Sequence, residues 1–543
     1  MESPVVRVDS VTWTYPHASA PSLHELALSL APGECVVLCG ASGSGKSTAL
    51  KLLNGLVPHL YEDGVWSGTV QVADVDTRAV ELDGIGRVTG SVQQHPRRQF
   101  FTGTVPEELA FGLESWAFPP EEIRTRVAAR RDALAHHLDV DLPLAALSGG
   151  QQQQVAIAAS TMHEPPVLLL DEPSSNLSHD AIERLAVTLA ELTSRGTTVV
   201  IAEHRLRYLQ DVLDRVIVLE AGRIIEEWDR AAFTALSDEE LEARGLRGAV
   251  RAAHLPAAAA SGPSVAAPAP STTGGRSGAG AAGADGPSQG GGQGPIREPA
   301  APFTTSGVHG TAGPAGATAS AQADATAWAA AEAAQAGTGL ELRDVNCRIR
   351  DRTVLAIDHA FLPAGAVTAL RGPNGAGKST ALRVIAGLRA ADGEVRLHGR
   401  RLSRRARRGA CAMVMQDVQR QLFTESVRAE AELAQVDVPR ADRADVDAVL
   451  AELDIAHLAD RHPLSLSGGQ QQRLVIAGAR LTRRPVVIFD EPSSGVDRRH
   501  LQSITAQIRA TAARGAVVLL VSHDEDLLAG AADQQITLQA PPA

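Results

Sequence analysis

Short apolar runs alternate along the chain with longer segments whose apolar residues recur every three or four positions. Runs of four or five aliphatic residues are typical of strands that are buried on both faces. They lie at 36–39, 167–170, 198–202, 486–489 and 517–521. Helical spacing is clearest at 180–194 and 501–513. Because strands and helices alternate, the pattern predicts an α/β fold with parallel sheets.

The same series of motifs occurs twice. The glycine-rich segment GASGSGKST at 40–48 returns as GPNGAGKST at 372–380, and LSGGQQQ at 147–153 returns at 466–472. An apolar run ending in DEPSS follows LSGGQQQ in each copy. Because the same motifs recur in the same order after a long stretch of chain, the sequence predicts two homologous domains rather than a solenoid.

Alanine, glycine, proline and serine dominate the segment between the copies. Such a composition cannot bury enough apolar surface to fold, so it predicts a disordered tether. We therefore expect a first domain at 1–248, a disordered linker at 249–337 and a second domain at 338–543.

Composition limits the functions that are plausible. The net charge of −12 over 543 residues argues against a dedicated nucleic-acid binder, which usually has a basic face. No run approaches the ~18–20 apolar residues of a membrane span, and the first residues lack a signal-peptide pattern. Any membrane would then be reached through partners. The cysteines Cys35, Cys39, Cys347 and Cys411 form no metal-binding pattern. Cys35 and Cys39 lie in an apolar run, so we expect them to be buried thiols, and we expect a reducing cytosol as the compartment.

Each glycine-rich segment follows a predicted strand and precedes a predicted helix, as a phosphate-binding loop does. Backbone N–H groups and the helix dipole would bind phosphates there, with Lys46 and Lys378 reaching the β- and γ-phosphates and Ser47 and Ser379 ligating Mg²⁺. The alternative, a glycine-rich turn that binds nothing, does not explain two copies in the correct context. The pattern therefore predicts ATP and Mg²⁺ as ligands. The predicted loop residues are Gly40, Ala41, Ser42, Gly43, Ser44, Gly45, Lys46, Ser47 and Thr48, and Gly372, Pro373, Asn374, Gly375, Ala376, Gly377, Lys378, Ser379 and Thr380.

An Asp-Glu pair ends a buried strand in each copy and supplies the acidic half of the site. Asp171 and Asp490 are positioned to hold Mg²⁺ through water. Glu172 and Glu491 are positioned to polarise the attacking water. Acidic residues that merely cap a helix would explain this turn alone, but not its pairing with a phosphate loop.

LSGGQ between these motifs resembles the signature of ABC ATPases. The resemblance covers the chain apart from the tether. It implies ATP hydrolysis by two P-loop domains, each with a RecA-like core and a helical signature subdomain. It further implies that the two halves pair head to tail within one chain, so that each signature closes over ATP held by the other half. The implied contacts are Ser148, Gly149, Gly150 and Gln151 over the Lys378 site, and Ser467, Gly468, Gly469 and Gln470 over the Lys46 site.

Other family positions map onto both copies. Gln94 and Gln416 match the glutamine that senses Mg²⁺ and contacts the membrane partner. His204 and His523 match the switch histidine that contacts the γ-phosphate, although a lone histidine after a strand is more often structural. Tyr15 matches the aromatic residue that stacks on adenine.

The segments that follow the glutamines narrow the resemblance. Residues 97–114 and 419–433 look like the region by which energy-coupling factor (ECF) importers grip their transmembrane component. The resemblance implies that acidic residues meet arginines of that component, with Glu107, Glu108 and Glu430 as candidates. The alternative is an ordinary solvated helix start.

The resemblance implies a function and a set of partners. It implies an ATPase, peripheral on the cytoplasmic face of the cell membrane, that powers uptake of a vitamin, vitamin precursor or metal ion. Its partners would be a transmembrane coupling component and a substrate-binding membrane component, with no direct nucleic-acid contact. The alternatives are the fused ATPase of another ABC importer class, a soluble tandem ABC protein acting on ribosomes, and a regulatory ATP switch.

Three departures from the family pattern fall on the site around Lys378. Ile349 stands where the stacking aromatic is expected, Ser178 replaces an aspartate, and Gln154 replaces an arginine. The other copy retains Asp497 and Arg473. We therefore expect the Lys378 site to bind or hydrolyse ATP less well than the Lys46 site.

Overall fold

The computed structural model describes residues 3–16, 18, 20–61, 63–175, 177–248, 255–257, 338–349, 352–373, 375–493 and 498–539. The first half contains strands β1 to β10: Val6–Thr14, Leu23–Leu30, Cys35–Cys39, Val65–Val72, Val75–Asp76, Thr89–Val92, Val167–Asp171, Thr198–Ala202, Arg215–Glu220 and Arg223–Asp229. Its helices α1 to α9 are Lys46–Leu53, Leu56–His59, Leu82–Val88, Val105–Ser115, Pro120–Ala135, Gly149–Ser160, His179–Ser194, Arg230–Ala235 and Asp238–Ala243.

The second half contains the corresponding elements. Its strands β11 to β19 are Gly339–Ile349, Arg352–Pro363, Val367–Arg371, Asp392–Leu397, Arg400–Arg401, Cys411–Val414, Val486–Asp490, Val517–Val521 and Gln534–Thr537. Its helices α10 to α16 are Lys378–Ile385, Arg404–Ala410, Val427–Leu433, Val446–Glu452, Gly468–Leu481, Arg498–Ala513 and Glu525–Ala531.

Sheet topology shows that the two halves are copies of one fold. In the described residues of the first half, the larger sheet has the order β10-β9-β3-β8-β7-β6, and only the β9–β10 pair is antiparallel. The second half repeats its parallel part as β19-β13-β18-β17-β16. Each half also has a smaller antiparallel sheet, β2-β1-β4-β5 and β12-β11-β14-β15. The predicted α/β fold with two P-loop domains is confirmed.

The central strands are buried on both faces, as their continuous apolar runs predict. Every residue of Cys35–Cys39, Thr198–Ala202 and Val517–Val521 is buried. Apolar side chains from both faces of each sheet pack into cores against the flanking helices and the smaller sheet. The expectation that Cys35 and Cys39 are buried free thiols is confirmed.

A short piece of chain after the first half lies against the second. Residues 255–257 fall in the range that composition assigns to the linker, yet Gln535 N–H donates to the Pro256 carbonyl over 2.9 Å. Leu255 packs on the core of the second half. The rest of the expected linker, 249–254 and 258–337, lies outside the described residues. In the described part of the chain, no helix is long and apolar enough to cross a membrane.

Candidate ATP site

Both phosphate loops connect a buried strand to the first residue of a helix. In each loop the first glycine adopts a left-handed φ, +140° at Gly40 and +143° at Gly372. A Cβ at Gly40 would lie 2.1 Å from the Leu219 carbonyl oxygen, and one at Gly372 2.5 Å from that of Leu538. These positions therefore require glycine. Lys46 begins α1 and donates to the Gly40 and Ala41 carbonyls over 2.9 and 3.0 Å.

The lysine of the second loop folds back in the same way. Lys378 begins α10 and donates to the carbonyl oxygens of Gly372 and Pro373 over 2.6 and 3.2 Å. In each half a compact ammonium group therefore lies inside the glycine-rich loop, where the phosphates of a nucleotide would bind. Asn374 lies outside the described residues.

The predicted Mg²⁺ ligands of the first half meet at one edge of the sheet. Ser47 Oγ donates to Asp171 Oδ1 over 3.0 Å, which joins the start of α1 to the end of β7. A hydroxyl beside a carboxylate is the donor set that Mg²⁺ takes with nucleotide phosphates. Burial raises the pKa of Asp171 to about 6, and that of Asp490 to about 6 as well. A bound cation would favour the ionised form of both carboxyl groups.

Two predicted residues, Gln94 and His204, contact Glu172. Its Oε2 accepts a 2.7 Å hydrogen bond from Gln94 Nε2, and His204 Nε2 lies 3.4 Å from its Oε1. Burial favours the neutral acid, but the His204 and Gln94 contacts and the Lys46 charge outweigh burial and lower the pKa of Glu172. An ionised carboxylate beside the phosphate loop can polarise a water molecule.

The equivalent Glu491 has different neighbours. Its Oε2 accepts from Ser522 Oγ over 3.3 Å and from the His523 backbone N–H over 3.1 Å, while His523 Nε2 lies 3.7 Å from Oε1. Gln416 is exposed, and within the described residues it makes no hydrogen bond to Glu491. Burial raises the pKa of Glu491 to about 8. Burial, together with the charges of Lys378 and Arg205, lowers the pKa of His523 to about 4.

Each signature motif forms the start of a helix. Ser148 Oγ accepts from Gln151 N–H, while Gln151 Oε1 accepts from Ser148 N–H over 2.9 Å. Ser467 and Gln470 form the same capping box on α14. The following glycines, Gly149 and Gly150 in one half and Gly468 and Gly469 in the other, lie in the first turn. These helix N-termini are suited to an anion, and their closure over the opposite phosphate loop stays a prediction.

The expected adenine-stacking aromatic residue is present in the first half as Tyr15 and is replaced by Ile349 in the second. The Tyr15 ring makes edge contacts with Trp13 and Tyr61, with centroids 5.6 and 4.9 Å apart. Its hydroxyl lies 3.3 Å from Thr48 Oγ1 of helix α1. Ile349, at the end of β11, is exposed. The difference between the two halves agrees with the first of the three sequence departures.

One sequence departure has a structural explanation that is unrelated to nucleotide. Arg473 is 5% exposed and donates to the Leu453 carbonyl oxygen over 3.1 Å, inside its own half. The replacement of this arginine by Gln154 in the first half therefore removes a packing contact of the signature helix, and its effect on the Lys378 site stays a prediction. Ser178 is the N-cap residue of α7, whereas Asp497 lies outside the described residues.

The segments after the glutamines each present one phenylalanine that is about three-quarters exposed. Phe101 is 74% exposed and stacks on Phe111 at 4.7 Å, and Phe423 is 77% exposed. Glu108 accepts from the Phe101 and Thr102 backbone N–H groups over 3.1 and 3.0 Å. Glu430 does the same for Phe423 and Thr424, over 2.9 Å each.

These contacts correct the expectation for two of the three acidic candidates. Glu108 is 6% exposed and Glu430 is half-buried, so both side chains hold their own loops in place rather than present a carboxylate to a partner. Glu107 is exposed and accepts from Thr104 Oγ1 over 2.7 Å.

Sequence reasoning missed two buried glutamines that join functional segments. Gln152 on the signature helix accepts from Arg97 Nε over 2.8 Å, and Gln471 accepts from Gln419 Nε2 over 3.2 Å. Each contact links the segment after the glutamine loop to the signature helix of the same half. The identical LSGGQQQ in both copies was the signal available for these residues.

Comparisons with known proteins agree with this geometry. The family model described as "ABC transporter" matches residues 23–175 and 359–494, which together are more than half of the chain. A Treponema denticola protein named as an ABC transporter ATP-binding protein is 31% identical over 96% of this chain and 93% of its own length. Bacillus subtilis YkoD, named for HMP/thiamine import, is 28% identical over 98% of this chain and 90% of its own. Archaeal ABCE1, in a model of its ribosome complex with Pelota, is similar in fold alone, with a TM-score of 0.60 at 20% identity over 98% of this chain and 76% of that one.

Proposed function

The chain belongs to the ABC transporter family as an ATP-hydrolysing protein with two ATPase domains, and we propose that it powers uptake of a small micronutrient through an ECF-type membrane complex. The cargo class is a vitamin, a vitamin precursor or a metal ion. The chain would sit on the cytoplasmic face of the membrane, bound to a transmembrane coupling component. A separate membrane protein would capture the substrate.

We assign the hydrolytic roles to the residues around each phosphate loop. Lys46 and Lys378 would bind the phosphates, and Glu172 would polarise the attacking water. Glu491 would do the same in its ionised form, which is the minor form at neutral pH because burial raises its pKa to about 8. Ser47 with Asp171, and Ser379 with Asp490, would hold Mg²⁺, which neutralises charge on the transferred phosphoryl group. Gln94 and His204 orient the Glu172 carboxylate by direct contact.

Exposed aromatic side chains carry the proposal of a membrane partner. Phe101 and Phe423 occupy equivalent positions directly after the glutamine segments and are about three-quarters exposed. Each adjoining backbone is fixed by a glutamate that accepts two of its N–H groups. A rigid loop that holds a large apolar side chain in water is typical of a protein contact. The similarity to YkoD over nearly the whole chain supports an import role.

The test is co-purification of the tagged full chain from membranes in mild detergent. We expect polytopic membrane proteins to be recovered with the wild-type chain. The Phe101→Asp/Phe423→Asp variant should lose them while ATP hydrolysis in solution stays within about twofold, because exposed residues contribute little to stability. Val187→Asp, at a residue 60% exposed on α7, is the matched control and should retain them.

Two of the alternative functions have their own outcomes in this experiment. Salt-sensitive co-sedimentation with ribosomes, without membrane proteins, would support a ribosomal role and contradict the proposal. Recovery of a periplasmic-binding-protein system would indicate another importer class. Equal recovery of membrane proteins by the wild type and the double variant would show that the aromatic residues are not the contact.

A further inference from the structure

A group of four charges, two of them buried and two partly buried, joins the two halves beside their switch histidines. Arg205 follows His204, and Asp524 follows His523. Arg205 NH2 lies 3.2 Å from Asp524 Oδ2, and the two side chains are 16% and 3% exposed. Equivalent positions of the two copies are thus in direct contact, with opposite charge.

A second arginine from the first half completes the group. The backbone of Arg247 forms an isolated parallel β-bridge with that of Arg205, and Arg247 is 4% exposed. Its guanidinium hydrogen-bonds to Asp524 and lies 3.6 Å from Asp526 Oδ2. We call Arg205, Arg247, Asp524 and Asp526 the seam cluster. Its arginines all come from the first half and its aspartates all from the second.

The aspartates are held in place by their own helix. Asp524 caps α16, where its side chain accepts from Leu527 N–H over 3.3 Å. The next residue, Glu525, pairs with Arg371 of its own half. Burial alone would raise the pKa of Asp524, but Arg247 and Arg205 outweigh it and lower the pKa to about 2. Asp524 is therefore ionised and faces the arginines of the first half.

Charge in a buried site is tolerated only when it is paired. When equivalent positions meet across a seam, a pair of first halves would bring Arg205 against Arg205, and a pair of second halves would bring Asp524 against Asp524. Both arrangements bury like charges. Only the pairing of a first half with a second half places opposite charges together in all four groups. The cluster would therefore give specificity by excluding the wrong partners.

We propose that the seam cluster selects the second half of the chain as the partner of the first half and excludes pairing of like halves from different chains. A further ion pair joins the two halves with the opposite arrangement of charge: Arg498 NH2 of the second half lies 2.6 Å from Glu242 Oε2 of the first. The proposal concerns the seam alone and holds for any cargo, so failure of the proposed transport role would leave it intact.

The test is charge inversion in the full chain. One variant, Arg205→Asp/Arg247→Asp, makes the cluster wholly acidic, and a second, Asp524→Arg/Asp526→Arg, makes it wholly basic. We expect each variant alone to lose about a hundredfold in ATP hydrolysis, because its own halves no longer pair. Mixed in equal amounts, the two variants should form a species of twice the mass by light scattering and regain hydrolysis.

The control Asp141→Arg breaks an exposed pair with Arg131 inside the first half and should behave as wild type.

Two outcomes of the mixing experiment would overturn the proposal. One is wild-type hydrolysis by either variant alone, and the other is two folded variants that neither associate nor regain hydrolysis when mixed.

If circular dichroism shows that an inverted variant does not fold, conservative substitutions in the seam cluster test the proposal instead. Arg247→Gln and Asp524→Asn should each lower hydrolysis about tenfold, and the double variant should lose no more than the worse single variant. Strictly multiplicative losses would mean that the two residues act independently, and would refute the proposal.

Discussion

At the residue scale, Tyr15 is the clearest difference between the two nucleotide sites. Its ring is held at the edge of Trp13 and Tyr61, and its hydroxyl reaches Thr48 on the helix that follows the phosphate loop. A ring fixed in this way loses little entropy when a base stacks on it. Ile349 offers no π-face, so the second site lacks this contribution.

We therefore expect Tyr15→Ala to weaken ATP binding at the Lys46 site by about 5- to 150-fold, the equivalent of roughly 1–3 kcal/mol of stacking. Ile349→Ala should change the affinity of the Lys378 site by less than about twofold on the same grounds. Titration with a fluorescent ATP analogue measures each effect, with Lys378→Ala or Lys46→Ala used to silence the other site. Equal effects of the two substitutions would count against adenine stacking on Tyr15.

At the scale of elements, the loop before α4 depends on a single buried carboxylate. Glu108 accepts two backbone N–H groups and, over 2.8 Å, the Thr102 hydroxyl. Glu430 accepts the equivalent three in the second half. The loop and helix therefore form one unit in each half.

Removal of that carboxylate should destabilise the unit. We expect Glu108→Ala to lower the free energy of unfolding by about 3 kcal/mol, because hydrogen bonds to a charged group are worth roughly 1.5–3 kcal/mol each and buried donors are left unpaired. Denaturant unfolding measures the loss, and limited proteolysis should cut near residues 101–104. Glu107→Ala, one residue earlier and exposed, is the matched control. A similar loss in both variants would assign the effect to helix charge instead of the loop.

These elements also show what the sequence could and could not predict. Buried strands were predictable because a continuous apolar run such as Cys35–Cys39 has no solvated face. The contacts of Gln94 and His204 with Glu172 were predictable because phosphate chemistry requires particular residues in a fixed order. The role of Glu108 was not, because an acidic residue at a helix start looks the same whether it faces a partner or turns back to its own loop. The contact of Arg205 with Asp524 was hidden because it joins two halves that are distant in sequence.

At the scale of the whole molecule, the two copies of one fold differ around their predicted catalytic glutamates. Glu172 is contacted by the side chains of both Gln94 and His204, whereas Glu491 is held by Ser522 and the His523 backbone. The stacking aromatic lies on the Lys46 side as well. The seam cluster adds a third asymmetry, since its cationic and anionic parts come from different halves. Unequal halves that pair only with each other allow one site to specialise while the other retains a binding role.

Unequal sites predict unequal effects of removing each catalytic carboxylate. We expect Glu172→Gln to lower ATP turnover of the full chain to about a tenth or less, because general-base assistance is worth at least about a hundredfold at the site that carries most of the activity. Glu491→Gln should leave at least about half of the turnover, because its loss falls on the weaker site. Steady-state phosphate release at saturating ATP measures both, with the exposed Glu220→Gln as control. Equal losses would mean that the two sites hydrolyse ATP in strict alternation, so that neither can work without the other. The structural differences around Glu172 and Glu491 would then have no catalytic consequence.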